Sequence, residues 1–427
     1  MKGTFRSLKN RNYRLWAGGA VVSNIGTWMQ RIAQDWLVLT GLTHHSATAV
    51  GVVMSLQFGP MVLLLPLSGF AADHLDRRKL LIATQAAMGV LALGLGLLTI
   101  SGAVQLWQVY AFALLLGCVT AFDSPARQTF VAEMVGEADL SNAVALNSTS
   151  FNAARMIGPA VAGLLIAGVG TGWVFLINAA SFAAVLVALW RLRVADLHRA
   201  EKALRTRGSL ADGFRYVRQR PDLMAVLFML LLIGTFGLNF AIYISTMAVS
   251  VFHAGAGTYG LLTSTMAIGS IAGALLAAQR DKPSIPLLMI GAGVFGLGCM
   301  LAALMPNELL FAGVLVIIGI SAQTFTTSTL SLAQMTTAPA MRGRVIAIVL
   351  AIAMGGTPIG APIVGWVADT LGPRWALVIG GASGIGAALV AIRYLARHRG
   401  LQVGFVAGRL RISTDDSVTP GDPAPLR

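Results

Sequence analysis

Long apolar runs separated by short polar segments are the main feature of this sequence. Twelve runs reach about 20 residues, the length that an α-helix needs to cross the hydrocarbon core of a bilayer. The runs cover 15–40, 47–70, 80–100, 105–123, 143–168, 172–190, 222–250, 257–278, 285–305, 309–331, 345–368 and 374–393. The pattern therefore predicts an all-α integral membrane protein with twelve transmembrane helices.

The spacing of the runs divides the chain into two halves of six helices each. The expected parts are an N-terminal bundle over 1–190, a cytoplasmic connector over 191–221, a C-terminal bundle over 222–395 and a cytoplasmic, disordered tail over 396–427. In the connector, Leu210, Phe214 and Val217 share one helical face, which predicts a helix on the membrane surface. A solvated linker is the alternative interpretation.

The two halves also resemble each other weakly in sequence. Gly158 and Pro159 in the first half are echoed by Gly360 and Pro362 in the second. Internal symmetry between six-helix halves is typical of secondary transporters, whose substrate site lies near the membrane midplane. Chance similarity between apolar helices is the other reading.

Composition and charge agree with a membrane protein and exclude several other classes. The 427 residues are 56% hydrophobic and 11% charged, whereas soluble domains are about 45–50% apolar and about 25% charged. The net charge of +14 would suit nucleic acid, but lysines and arginines cluster in alternate gaps between the runs. This asymmetry places both termini in the cytoplasm and argues against nucleic-acid binding.

The sequence contains no pattern typical of an enzyme or of a metal site. A phosphate-binding loop with Gly-Lys-Ser/Thr is absent, so we expect no ATPase in this chain. Cys118 and Cys299 lie far apart inside apolar runs without metal-ligand spacing. His44 and His45 are too few for a catalytic cluster. We therefore expect neither enzymatic activity nor a metal or cofactor.

The loop after the second run carries a recognisable motif. Gly69, Asp73, Arg77, Arg78 and Lys79 are spaced as in the pattern Gly-x-x-x-Asp-Arg-x-Gly-Arg-Arg/Lys, which the major facilitator superfamily has in this loop. The chain resembles that superfamily, although His74 and Asp76 depart from the pattern. The resemblance implies two pseudo-symmetric six-helix bundles and transport by alternating access.

Further motifs favour one branch of the superfamily. They are Asp123 and Arg127 after the fourth run, Arg155 with Gly158-Pro159 in the fifth, and Arg342-Gly343-Arg344 in the second half. They resemble the branch that contains the enterobactin exporter and related drug-efflux proteins. By family analogy, Gly158-Pro159 is similar to the helix-bending antiporter motif and implies export.

The resemblance also implies a network of charges at the cytoplasmic gate. Its expected members are Gly69, Asp73, Arg77, Arg78, Asp123 and Arg127. We expect Asp73 to pair with Arg127, and Arg77 with Asp123. Independent solvated loop charges, each contributing little, are the alternative.

Three ionisable residues lie inside the apolar runs, namely Arg31, Asp35 and Arg155. Such residues are costly in a membrane and usually mark a pathway or a coupling site. Asp35 is the only deep carboxylate and is our candidate proton carrier, with Arg31 and Arg155 as its partners. Because Arg31 is one helical turn away, a permanent structural ion pair is an equal alternative. Two arginines against one carboxylate favour an anionic substrate.

Polar and aromatic residues near the middle of several runs are candidates for lining a substrate cavity. They are Trp28, Trp36, Gln57, Asn152, Asn239 and Gln323. Each is individually as well explained by packing or by a hydrogen bond between helices.

The sequence as a whole predicts a monomeric, multi-pass protein of the inner plasma membrane. Its predicted function is the secondary active export of a small molecule, drug-like or a secondary metabolite, in exchange for protons. Two alternatives stay open: export of an anionic, siderophore-like metabolite, and a membrane sensor that binds without transporting.

Overall fold

The structure, a computed structural model, describes residues 5–198, 210–279, 283–339, 341–398, 402–406 and 409–413. The α-helices are α1 (Arg11–Trp36), α2 (Ala47–Leu63), α3 (Leu65–His74), α4 (Arg77–Ile100), α5 (Leu106–Val169), α6 (Thr171–Trp190), α7 (Leu210–Arg218), α8 (Pro221–Leu232), α9 (Phe240–Thr246), α10 (Ala256–Ala278), α11 (Ile285–Leu304), α12 (Glu308–Thr336), α13 (Arg342–Thr370) and α14 (Pro373–His398). Short π-helical segments at Leu37–Leu42, Ile233–Gly237 and Met247–Val251 continue α1, α8 and α9, and 3₁₀ turns cover Arg6–Lys9 and Val194–Asp196.

Several helices begin at a side chain that caps the first turn. The oxygen of a capping side chain accepts a hydrogen bond from an N–H group that has no partner within the helix. The capping residues are Asn10, Ser46, Asp76, Ser284 and Asn307. Each of these polar residues stands directly before the first residue of its helix, so the local sequence determines where these helices start.

The helices account for the twelve predicted spans. Nine helical segments of the described residues are long and apolar enough to cross a membrane, and the pair α2 and α3, bent by 58°, makes ten. The 64-residue α5 holds two predicted spans and is broken at Gly136, where φ is 69° and ψ is 177°. The remaining span is α1, whose charged and polar residues lower its hydropathy. The all-α membrane fold is confirmed.

The break at Gly136 is held by contacts with the N-terminal segment. The backbone N–H and the hydroxyl of Ser7 donate to Asn142 Oδ1 at 2.9 and 2.7 Å, and Tyr13 Oη donates to the Ala143 carbonyl at 2.8 Å. Only a glycine tolerates the positive φ of this position without strain. The helix therefore breaks at a single residue, Gly136, in the stretch between the two predicted spans.

The chain divides into two compact units that do not coincide with the predicted domains. Unit 1 comprises Met1–Arg205, Phe240–Ala267 and Ala361–Pro373, and unit 2 comprises Thr206–Asn239, Ile268–Gly360 and Arg374–Arg427. Two segments of the second half therefore belong to unit 1. Glycines explain why these two segments pack with the first half, because they let helix backbones approach closely.

Two helix contacts in unit 1 depend on such glycines. A Cβ added at Gly365 on α13 would lie 2.8 Å from the Thr48 Cα on α2. A Cβ added at Gly260 on α10 would lie 3.1 Å from the Gly163 Cα on α5. The backbones of α13 and α10 thus lie directly against the first-half helices α2 and α5.

Unit 2 contains α7, α8, α11 and α12, together with α10 from Ile268, α13 up to Gly360 and α14 from Arg374. The Ala338 N–H donates to Tyr216 Oη of α7 at 3.3 Å, and Arg374 donates to the carbonyls of Ala303 and Met305 at 2.5 and 3.1 Å. The helix α7 lies where the sequence predicts a surface helix, whereas residues 199–209 lie outside the described residues.

The tail differs from the predicted disorder in one part. Strands β1 (Gln402–Val406) and β2 (Arg409–Ser413) form an antiparallel pair in which Val403 is opposite Ile412 and Phe405 opposite Leu410. The physical reason is visible in the sequence, since apolar residues at every second position are a strand pattern. Residues 414–427 lie outside the described residues.

Candidate functional site

Unit 1 contains a cavity of about 580 Å³. Its walls come from α1, α2, α4, α5 and α6. Polar residues of α1 recur at spacings of three and four, so they share one helical face, and this face forms one wall. The polar lining residues of α1 are Asn24, Thr27, Gln30, Arg31 and Gln34. From α2 and α5 the wall includes Gln57, Phe58, Asp123, Arg127, Asn147 and Asn152.

The guanidinium of Arg31 lies against aromatic rings. It is 4.9 Å from the centroid of the Trp28 ring and 5.4 Å from that of Phe58. Within the described part of the chain it forms no ion pair and no hydrogen bond. An arginine offers five N–H donors, so this residue gives the cavity wall a positive charge whose donors have no acceptor among the described residues.

Asp35 does not form the ion pair with Arg31 that the sequence predicts as one alternative. Its side chain is buried, and Oδ2 accepts a hydrogen bond from Tyr259 Oη of α10 at 3.2 Å. Trp36 stacks on the same tyrosine, with ring centroids 6.1 Å apart. The two charges separate because Arg31 contacts α2 while Asp35 contacts α10. Asp35 is not among the residues that line the cavity.

Two glutamines of α1 add polar groups to the wall. Gln30 Oε1 accepts a hydrogen bond of 2.5 Å from Asn178 Nδ2 of α6. Gln34 is 1% exposed, and among the described residues its Nε2 has no hydrogen-bond partner. The amide of Gln34 is thus a buried donor at the cavity without an acceptor.

Asp123 and Arg127 form the second charged group of the cavity. Asp123 Oδ1 accepts hydrogen bonds from Thr84 and Gln85 of α4 at 2.8 and 2.7 Å. Arg127 donates to Asp123 Oδ2 through Nε and Nη2 at 3.1 and 3.0 Å, and to Asn24 Oδ1 at 3.2 Å. This pair is internally neutral, so the charge that remains in the cavity is that of Arg31.

The expected ion pair between Arg77 and Asp123 is wrong, because Arg77 pairs with Glu133 at 2.5 Å. Arg127 pairs with Asp123, and its expected pairing with Asp73 stays a prediction. Arg127 follows Asp123 by one helical turn, so the local partner is within reach without any movement of helices. The spacing of Asp123 and Arg127 can be read from the sequence. Nothing in the local sequence indicates that Glu133 is the partner of Arg77. The side chain of Asp73 is outside what the structure describes.

Two other members of the expected gate network, Arg78 and Gly69, form no ion pair among the described residues. Arg78 Nε donates to the carbonyl of Leu189 at 2.9 Å. At Gly69, an added Cβ would meet nothing within 4 Å, so this glycine makes no close helix contact with the described residues. The reason is that α3 presents this position to open space.

Trp28 and Trp36, predicted to line the cavity, are not among its lining residues. The other predicted lining residues divide between the two units. Gln57 and Asn152 line the cavity of unit 1, whereas Arg155 is partly buried on α5 and is not among the lining residues. In unit 2, Asn239 Nδ2 donates to the Thr235 carbonyl at 2.8 Å, and Gln323 Nε2 donates to Thr327 Oγ1 at 3.0 Å. Each of these bonds joins residues four positions apart in the chain.

Gly158 sets the distance between α5 and α1 beside the cavity. A Cβ at this position would lie 2.6 Å from Trp28 Cβ and 3.1 Å from the Ile25 carbonyl oxygen. We expect Gly158→Ala to lower the free energy of unfolding by about 1–3 kcal/mol, because overpacked contacts force neighbouring groups apart. Thermal unfolding in detergent measures this effect.

Gly168 on the same helix is the matched control, since a Cβ there meets nothing within 4 Å. Gly168→Ala should leave stability unchanged or raise it slightly, because alanine favours helix more than glycine. Equal melting temperatures for the two variants would contradict the close approach at Gly158.

Comparisons with known proteins agree with this architecture. A family model described as transmembrane secretion effector matches residues 2–400. The staphyloferrin A transporter of Staphylococcus aureus (strain NCTC 8325 / PS 47) is 25% identical over 82% of this chain and 87% of that protein. The enterobactin exporter EntS of Shigella flexneri is 26% identical over 82% of this chain and 83% of that protein.

Solved structures of low sequence identity share the fold. A POT family transporter in complex with 5-aminolevulinic acid has a TM-score of 0.74 at 12% identity, over 91% of this chain and 96% of that one. A D-xylose-proton symporter has a TM-score of 0.69 at 14% identity, over 91% and 98% of the two chains. With the matched family model, these findings show that the chain is a transporter of the major facilitator superfamily and belongs to its transmembrane secretion effector family.

Proposed function

We propose that this protein exports a small anionic metabolite of the siderophore type across the inner membrane. The observation that carries the proposal is the cavity of about 580 Å³ in unit 1, which is lined by Arg31, an arginine with no ion pair or hydrogen bond among the described residues. Binding pockets for small molecules are typically about 300–1,000 Å³. The names of the staphyloferrin A transporter and the enterobactin exporter add support for this substrate class.

The charge of the cavity favours an anion over a cationic drug. Arg127 is neutralised by Asp123, and a second cation would meet Arg31 without an available carboxylate. Electrostatic interactions are strong where water is excluded, so a cationic substrate would be repelled. This argument favours the siderophore alternative over efflux of cationic drugs.

We further propose that export is coupled to proton entry and that Asp35 carries the proton. In support, the carboxylate is buried in α1 and receives one hydrogen bond, from Tyr259, with no ion pair among the described residues. A carboxyl group in such surroundings can exist with or without its proton. Arg31 and Arg155 are proposed to influence this equilibrium as the protein changes conformation.

The gate network is proposed to keep closed the end of unit 1 that contains Arg77 and Arg127. Its members are Gly69, Asp73, Arg77, Arg78, Asp123 and Arg127, to which the pairing with Arg77 adds Glu133. Both termini are proposed to lie on the cytoplasmic side, where this gate would open before substrate enters the cavity.

Uptake into everted membrane vesicles tests the proposed function. Vesicles energised by respiration should accumulate a labelled hydroxycarboxylate or catecholate siderophore more than vesicles that lack the protein. A labelled cationic dye serves as the comparison. Accumulation of the dye alone would contradict the proposal, and binding without accumulation would support the sensor alternative instead.

Asp35→Asn in the same vesicles tests the coupling. We expect at least a tenfold loss of proton-driven accumulation, because the amide cannot carry a proton, while exchange of labelled for unlabelled substrate continues. Tyr259→Phe keeps the carboxylate and should retain most of the accumulation. Undiminished proton-driven accumulation in Asp35→Asn would show that Asp35 does not carry the proton and has a structural role.

A further inference from the structure

We infer that Arg31 and Gln34 form a subsite for a carboxylate group in the cavity of unit 1. The inference rests on the proposed export of an anionic metabolite and names the group by which such a substrate is held. It begins from the position of the guanidinium between the Trp28 and Phe58 rings, 4.9 and 5.4 Å from their centroids.

The aromatic rings hold the guanidinium in place without using its hydrogen-bond donors. A ring face attracts a cation through its quadrupole, whereas the N–H groups of arginine lie in the guanidinium plane. No described residue accepts a hydrogen bond from Arg31. Its donor fork is therefore oriented and available to a ligand.

The side-chain amide of Gln34 independently indicates that a ligand acceptor belongs at this site. Its side chain is 1% exposed and lines the cavity, and its Nε2 has no acceptor among the described residues. Buried amide donors in proteins are nearly always hydrogen-bonded. Because Gln34 follows Arg31 by three residues, both side chains lie on the same helical face.

The acidic residues of unit 1 near this face already have partners. Asp35 receives the hydrogen bond of Tyr259, and Asp123 is bonded to Arg127, Thr84 and Gln85. An internal carboxylate therefore does not occupy the donors of Arg31, and an acceptor from a ligand can.

The geometry of the donors matches a carboxylate. Two parallel N–H groups of arginine bind the two oxygens of a planar carboxylate, and the amide of Gln34 adds a third donor. Phe58, Met61 and Phe151 of the cavity offer apolar surface to the organic part of the substrate. A carboxylate on an aromatic or aliphatic body satisfies both requirements.

Binding of benzoate and of its neutral isostere benzamide to the purified protein in nanodiscs tests the subsite. Saturation-transfer NMR measures both affinities. We expect the wild type to bind benzoate at least tenfold more tightly than benzamide. Arg31→Gln should reduce this preference to about onefold, and Arg31→Lys should weaken benzoate about tenfold, because lysine lacks the planar fork.

Gln34→Leu keeps the charge and removes the third donor, so benzoate should bind about three- to tenfold more weakly. Arg218→Gln is the matched control, since it removes an exposed arginine of α7 outside unit 1 and should leave the preference intact. Thermal unfolding identifies any variant that fails to fold. If Arg31→Gln does not fold, Gln34→Leu and Arg31→Lys still test the subsite.

The results separate this subsite from the proposed export. Equal affinities of wild type for the two probes, or an unchanged preference in Arg31→Gln, would overturn the subsite even if the vesicles accumulate siderophore. A preference that depends on Arg31 and Gln34 would support the subsite even if the vesicles accumulate nothing, because binding in nanodiscs requires no flux.

Discussion

Asp123→Ala is expected to lower the free energy of unfolding by about 3–5 kcal/mol, the effect of breaking a buried ion pair by removing one partner. Asp123 is 4% exposed and accepts hydrogen bonds from Arg127, Thr84 and Gln85. Without the carboxylate, four donor groups of three side chains on two helices lose this acceptor, and the Arg127 charge loses its ion-pair partner.

Thermal and chemical unfolding in detergent measure this effect, with Asp212→Ala as the matched control. Asp212 and Arg215 also form an acid–arginine pair, but their side chains are 43% and 75% exposed. Exposed pairs contribute about 0–1 kcal/mol, so the control should change stability little. The double variant Asp123→Ala/Arg127→Ala should recover part of the loss. Similar losses for Asp123→Ala and Asp212→Ala would contradict the buried pair.

Asp369→Ala is expected to release the first turn of α2 from the end of α13. The Asp369 carboxylate accepts hydrogen bonds from the backbone N–H groups of Ala47 and Thr48 at 2.6 and 2.9 Å. It also accepts them from the hydroxyls of Ser46 and Thr48 at 3.1 and 2.6 Å. The negative charge additionally interacts favourably with the positive end of the helix dipole.

Hydrogen exchange of the amides at 47–50 measures the release. Charge-assisted hydrogen bonds contribute about 1.5–3 kcal/mol, so we expect exchange in this turn to rise about 10- to 150-fold. Glu308→Ala is the control, because Glu308 is an exposed acid in the first turn of α12 and should affect the exchange of its own turn only slightly. Unchanged exchange at Ala47 and Thr48 in Asp369→Ala would show that Gly365 packing alone holds the contact.

The contact at Asp369 also explains why the predicted domains and the observed units differ. The sequence divides the chain at its basic connector, but Asp369 and Gly365 bind the end of α13 to α2. In unit 1, Tyr259 of α10 likewise bonds Asp35 of α1. These contacts join residues more than 200 positions apart, and no local pattern announces them.

The candidate site was predicted in part. Gln57 and Asn152 were named as lining residues and do line the cavity, because a polar residue inside an apolar run must meet another polar group or a cavity. The polar face of α1 was available as a signal in the spacing of Asn24, Thr27 and Gln34. The buried amide of Gln34 lies on this face.

Composition and periodicity by themselves determined the helices, their number and the membrane environment, because lipid accepts only segments that bury their own backbone hydrogen bonds. The family followed from short loop motifs such as Gly69 to Lys79. The partner of each charged side chain was decided by the tertiary structure. Arg31 and Asp35 are one turn apart in sequence, yet one side chain contacts Phe58 and the other Tyr259. Partners of buried charges are set by which helices pack together, and packing depends on glycine contacts and hydrogen bonds between segments distant in the chain.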